Sequence, residues 1–310
     1  MMLWRRIFLR IGAGIGALWG AATLTFIAIN LTGGDTALAI LGGPDALPTE
    51  QVLHRVRSEY GLDKPLVEQY ARYLWQLVQG DLGESYTLRI TVIKAIGQQL
   101  AATTQLSLCG TALALAVSIP CAVLTAKRKA WIVSLASGLE LVLSSTPSFV
   151  LGTLLLLVFS FQLHILPATG TEEWQSLVLP ALTLGLPVSA LLGQVLRREL
   201  DDILEQPFIV MARARGMSDA GVRLGRALGH AMIPLVTMSG FLFASFVGLA
   251  VVVETLFARQ GVGRLLVDAT TNKDVPLVLG ITLLCAAIYV SVSLVVDLLY
   301  LIIDPRVRAS

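Results

Sequence analysis

Charge is scarce in this chain. Only 14% of its 310 residues are Asp, Glu, Lys or Arg, while 55% are hydrophobic and the mean hydropathy is +0.76. A soluble globular domain has about a quarter of its residues charged, so this balance excludes an ordinary soluble fold and points to a membrane protein. The net charge is +2, which gives no global field to attract a nucleic acid, and no nucleic-acid partner is expected. Cysteine and histidine are scarce as well. Cys109, Cys121 and Cys285 all fall inside apolar runs with no CxxC pair, and read as packing residues rather than disulfide or metal-binding ones. His54, His164 and His230 fall in three separate loops on two different sides of the membrane, so they cannot together form one metal site.

Signatures of covalent chemistry are missing too. There is no GxxxxGKS or GxxxxGKT loop to cradle nucleotide phosphates, no HExxH helix and no GxSxG nucleophile elbow. No catalytic residue, no metal ligand set and no cofactor of the chain's own is therefore expected.

What the sequence has in abundance is apolar runs. About 20 mostly apolar residues cross the roughly 30 Å hydrocarbon core, and six runs meet that length: about 9–31, 101–126, 132–161, 176–196, 232–258 and 276–303. The expected fold class is all-α, a polytopic membrane protein with six transmembrane helices. The first run follows Arg5, Arg6 and Arg10 but is longer than a signal peptide's apolar core and lacks a convincing cleavage site, so it reads as a span. The third is too long for a straight crossing; with Glu140 and Pro147 inside it, a tilt or bend near Pro147 is expected. Gly12, Gly16 and Gly20 repeat every fourth residue in the first run, a small-residue face that favours close helix packing.

Six crossings place both termini on one side. That side holds Arg5, Arg6, Arg10, Lys127, Arg128, Lys129, the six arginines from Arg197 to Arg226, Arg306 and Arg308. On the other side the loop near 162–175 has no Lys or Arg, and the loop near 259–275 has Arg259, Arg264 and Lys273. Both termini are therefore expected in the cytoplasm. The chain then divides into a cytoplasmic tail and first span (1–31), an extracytoplasmic segment (32–100) and a five-helix core (101–310) with a cytoplasmic loop at about 197–231.

In the outer segment, the spacing of Leu66, Tyr70, Tyr73, Leu74, Leu77 and Val78 predicts one apolar helix face, started by Asp63 and Pro65 and stopped at Gly80. The segment either rests on the mouth of the bundle or is a solvated spacer. Three acids fall inside apolar runs: Glu140, Glu254 and Asp297. Such a carboxylate lines a path or pairs with a partner, but each is also close enough to a run's end to sit at the interface.

The cytoplasmic loop carries Arg197, Arg198, Arg213, Arg215, Arg223 and Arg226 among five acids and cannot bury a core alone. Two short helices are expected in it. Pro207 breaks or starts one, Gly216 allows a sharp turn, and Ser218 or Asp219 caps the next. Ala212 and Ala214 are small enough to let the backbone approach another surface. From the residues alone two uses remain open: a helix pressed into a partner protein's groove, or a basic loop resting on anionic membrane lipid.

ARARG at 212–216, followed by Pro234 in AMIPLVT, resembles the coupling loop of ABC-importer permeases of the dipeptide, oligopeptide and nickel class. GLDKPLVEQY at 61–70, GDLGES at 80–85, LPATG at 166–170, ETLF at 254–257, GVGRLLVDA at 261–269 and DLLYLIIDPRVR at 297–308 extend the resemblance along almost the whole chain. It implies a type I ABC importer permease fold and a non-catalytic subunit. The implied partners are a second, homologous permease, two ATP-binding subunits that hold ATP and Mg, and an extracytoplasmic solute-binding protein.

In that family the loop with Ala212, Arg213, Ala214, Arg215 and Gly216 couples to the ATPase, and Glu254, Gly261, Gly263 and Asp297 would belong to the translocation path or its gate. LPATG followed by Trp174 and Gln175 looks most like nickel-type permeases, implying nickel or a metal chelate as cargo, with a dipeptide or oligopeptide as the alternative. The chain departs from the class at His230 (commonly Asn), Gly229 (commonly basic), Arg259 and Gln260 (commonly Trp-Pro), Lys273 (commonly Arg) and Ser293 (commonly Asn). The rival classes are a secondary transporter or channel, for which no inverted repeat is found, and a membrane-tethered interaction protein.

Overall fold

The computed structural model describes the backbone of residues 2–31, 36–41, 48–170 and 173–303. The described residues form helices throughout, apart from loops and one isolated antiparallel bridge between Glu84 and Thr91. In chain order these are α1 (Met2–Leu31), α2 (Thr36–Ile40), α3 (Glu50–Tyr60), α4 (Leu66–Val78), α5 (Val92–Thr125), α6 (Ala130–Ser145), α7 (Ser148–Leu155), α8 (Val178–Ile203), α9 (Pro207–Ala214), α10 (Asp219–Val222), α11 (Leu228–Leu256), α12 (Val262–Thr271) and α13 (Val275–Ile303).

Five helical stretches among the described residues are long and apolar enough to cross a membrane: Leu9–Ala28, Val92–Thr125, Trp174–Ile203, Met238–Leu256 and Val275–Val296. The sixth crossing is broken. Ala130–Ser145 and Ser148–Gln162 meet at 101°, a sharper feature than the expected tilt. The cause is local. Proline disfavours a helical conformation in the residue before it, and Thr146 is extended, with φ −80° and ψ 122°. The Thr146 N–H and hydroxyl both return to Val142 O, at 3.1 and 2.7 Å, and close α6. Pro147 then opens α7, which passes into a π-helical stretch over Leu156–Gln162.

Helix α5 begins nine residues before the expected start, because Lys94, Gln98 and Gln99 favour a helix without being apolar. Its 34 residues span about 51 Å at about 1.5 Å each, more than hydrocarbon alone requires. Several hydroxyls within the apolar helices are satisfied by their own backbone. Thr111 donates to Ser107 O, Thr183 to Leu179 O and Ser239 to Leu235 O, so none of them has to find a partner in lipid.

The chain divides into two compact units, one from residues 1–102 with 260–291 and one from 103–259 with 292–310. In the first, Val92, Ala95, Ile96, Val262, Ala269, Leu277 and Ile281 form a buried cluster. Here α4 presents the expected face, with Tyr70, Tyr73, Leu74 and Leu77 half-buried, while Leu66 and Val78 at its ends are exposed. That face meets α1, where Phe26 packs against both tyrosine rings and the Tyr70 and Thr23 hydroxyls share a 2.6 Å hydrogen bond.

The glycine face of α1 is placed differently from the expectation. Gly12, Gly16 and Gly20 have open space beside them, whereas a Cβ at Gly14 would lie 2.7 Å from Val290 Cγ1. Residues two apart on a helix point to nearly opposite faces, so the close approach falls on the side away from the repeat.

The second unit has two clusters. Leu106, Leu179, Leu184, Phe246, Val253 and Phe257 form one; Ala122, Leu196, Leu200, Ile209, Val222, Ala227 and Leu235 form the other. Gly185 permits the contact of α8 with α5, since a Cβ there would lie 2.8 Å from Gly110 O.

Candidate functional site

The loop between α8 and α11 is built as two short helices joined by a sharp turn, as its sequence predicts. Pro207 occupies the first helical position of α9, where a missing N–H costs nothing. The helix stops through two hydrogen bonds, from Gly216 N to Arg213 O at 2.9 Å and from Met217 N to Ala212 O at 3.2 Å. This is a Schellman stop, and it needs a left-handed residue at its centre. Gly216 supplies it with φ 84°. Ser218 then caps α10 by accepting from Gly221 N at 3.2 Å.

One face of this hairpin is anchored to the rest of the second unit. Ile209 and Val222 are fully buried, and Ala212 packs against the same cluster. The small side chain at 212 therefore fits the protein's own core, while Arg213, Ala214, Arg215 and Gly216 are exposed. Beside them Phe208, Val210, Met211, Met217 and Leu224 are exposed too, with Phe208 packed on the His230 ring at 5.2 Å. An apolar ridge among so many charges has the composition of a docking surface.

Charge holds the hairpin to the corner between α5 and α6. Asp219 accepts from Arg223 Nε at 2.9 Å and pairs with Arg128 at 3.4 Å and Arg213 at 3.6 Å. Slight burial pushes its pKa up, but the hydrogen bond and charge of Arg223, with the charges of Arg128 and Arg213, outweigh this and hold it below the usual value. Arg223 is itself buried. Its Nη1 donates to Val123 O at 3.0 Å and Ala126 O at 2.7 Å, capping carbonyls at the end of α5. Lys127 adds a second tie, its amide donating to Asp201 Oδ1 at 2.7 Å and its ammonium pairing with Glu205. That pairing is the main reason the Lys127 pKa is raised; a little burial opposes it, and the charges of Glu205, Asp201 and Asp202 add to the rise.

Three arginines counted as loop charges are therefore interior residues. Arg197 ion-pairs with Glu140, both side chains being buried, and also donates to Thr125 Oγ1 and Ser137 Oγ at 3.3 Å. Arg223 caps α5, and Arg259, 1% exposed, donates from Nη2 to Gln105 Oε1 at 3.1 Å while its Nε and Nη1 meet no acceptor among the described residues. Two of the three acids in apolar runs are enclosed by protein as well. Glu140 is enclosed with Arg197, and Glu254 is fully buried, accepting from Thr103 Oγ1 at 2.5 Å. The Asp297 side chain lies outside the described residues.

Gly261 and Gly263 are buried in the other compact unit, at the start of α12, where Gly261 O accepts from Leu265 N at 3.0 Å. Sequence reasoning missed an acid in that unit. Asp274 is fully buried and its Oδ2 accepts from Ser85 Oγ at 2.5 Å, Thr87 N at 3.0 Å and Thr87 Oγ1 at 2.6 Å. The signal was there, since Ser85 ends the GDLGES block and Asp274 directly precedes α13. Among the described residues no group of three His, Cys, Asp or Glu side chains is arranged to hold a metal ion.

Comparison with known proteins agrees with this architecture. Residues 118–309 match the family described as binding-protein-dependent transport system inner membrane component. The chain belongs to this family. It is similar to the glutathione transport system permease protein GsiC of Escherichia coli, 36% identical over 295 residues that cover 95% of each chain. It is also similar to putative peptide transport system permease proteins of Brucella melitensis, 35% identical over 316 residues and 99% of each chain, and of Brucella abortus, 35% identical over 311 residues. The permease is thus an inner-membrane subunit of an ABC importer, with the helical type I permease fold of its family. The charge-tied hairpin lies within the matched region, as do α12 and α13.

Proposed function

We propose that the α9 hairpin couples this permease to an ATP-binding subunit, with the exposed ridge around Met211, Ala214 and Met217 seated in a groove of that subunit. The observation that carries this reading is the combination of an exposed apolar ridge with a rigid mount. Asp219 and Arg223 tie the hairpin to the end of α5 and its corner, and Lys127 ties that corner to the end of α8, so a push on α9 is passed to two membrane helices rather than absorbed by a flexible loop. Arg213 and Arg215 flank the ridge, and Gly216 sets its shape. A basic loop resting on lipid would need neither the Schellman stop nor the three-arginine hub.

In this assembly two ATP-binding subunits hold ATP and Mg, a second homologous permease completes the path, and an extracytoplasmic solute-binding protein delivers cargo. Both termini and the hairpin face the cytoplasm, residues 32–100 lie outside, and 101–310 form the five-helix core. Glu254, Gly261, Gly263 and Asp297 belong to the outer gate and path, with Glu254 holding α5 to α11 rather than touching cargo. The cargo is a short peptide or a peptide of glutathione type. Relatives named for glutathione and peptide transport favour this over the nickel or metallophore reading drawn from LPATG.

The test is to purify the permease from its native membrane, identify its co-purifying subunits by mass, and measure ATP-driven uptake of glutathione, a tripeptide and nickel by the reconstituted complex. Two ATP-binding subunits with peptide or glutathione uptake support the reading. A homo-oligomer that moves solute without ATP overturns it, and nickel uptake alone overturns the cargo assignment.

A further inference from the structure

A cavity of about 350 Å³ lies in the second compact unit, between α5, α6 and α8. Four of the side chains around it are small, Cys121, Ala136, Ser189 and Ala190, and they leave the three helices incompletely packed. Val117, Leu135 and Leu139 line it too and are exposed, so the space opens on the lipid-facing side of the helices. Glu140 reaches the same space, but its carboxylate is paired with the buried Arg197, so no net charge is presented there.

The depth of the cavity in the bilayer follows from α6. Trp131 is 66% exposed, and an exposed tryptophan at the end of a membrane helix marks the headgroup level. The lining begins at the next residue, Ile132, and ends at Leu143, about 17 Å further along the helix at about 1.5 Å per residue. That is about half of a hydrocarbon core of roughly 30 Å, the depth of one leaflet. An apolar void open to hydrocarbon holds no water, and left empty it forfeits the dispersion contacts of its lining. The medium at this depth is acyl chain, which supplies those contacts.

The headgroup end is basic. Lys127, Arg128 and Lys129 stand in a row; Lys127 pairs with Glu205 and Arg128 with Asp219, while exposed Lys129 has no ion pair among the described residues. Lys129 precedes Ile132 by three positions and so continues the stripe of Ile132, Ala136, Leu139 and Leu143 that α6 turns to the cavity. An ammonium at the mouth of an acyl-chain groove complements a lipid phosphate, and more so where the headgroup carries a net negative charge. We propose that this groove binds an anionic phospholipid, with one acyl chain in the cavity between α5, α6 and α8 and the phosphate at Lys129. The site depends on the membrane position of these helices and on neither the coupling role nor the cargo.

The test uses the assembled importer, released from its membrane in mild detergent and titrated with phosphatidylglycerol and with phosphatidylcholine of the same acyl chains. Native mass spectrometry counts the bound lipids. Phosphatidylglycerol should bind the tighter of the two. Ala136→Phe, which fills the cavity, should remove one saturable lipid per permease. Lys129→Gln should weaken phosphatidylglycerol about fivefold, the effect of one basic residue near a lipid headgroup, and leave phosphatidylcholine unchanged. Lys129 is exposed, so this variant gives a readout even where Ala136→Phe does not assemble. The proposal is overturned if the two lipids bind alike, if Lys129→Gln changes neither or weakens both equally, or if an assembled Ala136→Phe importer keeps every lipid. It is also overturned if the assembled importer binds no lipid saturably, in which case the second permease covers the groove.

Discussion

Glu140 and Arg197 give the sharpest test of how the second unit is held together. The two side chains are only 5% and 7% exposed, and Arg197 has further acceptors in Thr125 and Ser137. Removing one partner leaves the other charge enclosed, at a cost of about 3–5 kcal/mol, whereas replacing a buried pair with apolar residues of similar size is often neutral or stabilising. Glu140 also lines an apolar cavity of about 350 Å³ with Ile132, Leu135 and Leu139, which has room for a leucine in its place. Glu140→Leu alone and Arg197→Met alone should each lower the melting temperature. At roughly 2–4 °C per kcal/mol, the scale for chains of 150–250 residues, the fall is about 6 °C or more. The double variant should recover most of that loss. Fluorescence-detected size-exclusion of heated, detergent-solubilised protein reads all four members of the cycle. Single variants as stable as the parent, or a double variant no better than the worse single one, would refute the reasoning.

Three further outcomes follow from the geometry. Asp219→Asn should leave insertion intact but make the hairpin more accessible to protease, because it discharges the hub that Arg128, Arg213 and Arg223 share. The folded pKa of Asp219 lies below its ordinary value of about 3.9, so its contribution is complete above that pH and lost as pH falls through the lower folded pKa; hydrogen-exchange protection factors in the hairpin, which divide out the intrinsic pH dependence of exchange, should be flat from neutral pH down to about 5 and fall only below about 4. Asp274→Ala should free residues 80–91, since it strips acceptors from Ser85 and Thr87. Each donor left unpaired costs about 1–3 kcal/mol, and limited proteolysis in that segment checks it.

Much of this was legible in the sequence because it is local. Pro207, Gly216 and Ser218 each act through neighbouring backbone, so the helix start, stop and cap could be read from residue type and spacing. Pro147 announced the bend in the third run, although the amount of turning depends on how α7 packs. Apolar run length gave the crossings but not the full reach of α5, whose first turns are helical without being apolar. The remaining failures are contacts at long range. Glu140 meets Arg197 across 57 positions and Asp274 meets Ser85 across 189, and no period or composition reports such a contact. Counting Arg197, Arg223 and Arg259 as surface charge failed for the same reason, because their partners come from other helices. Ala212 and Ala214 looked equivalent, and only the packing of Ile209 and Val222 shows that 212 faces inward and 214 outward.

The most direct measurement of the coupling role places Ala214→Arg in the assembled importer and follows ATP hydrolysis stimulated by the cargo-loaded binding protein. Ala214 is exposed and the helix stop at Gly216 is untouched, so the variant permease should insert and fold normally. The expected result is a loss of stimulated hydrolysis and uptake of at least tenfold, about 1.4 kcal/mol or more of coupling. Wild-type stimulation and uptake in the variant would contradict the assignment of the hairpin as the coupling element.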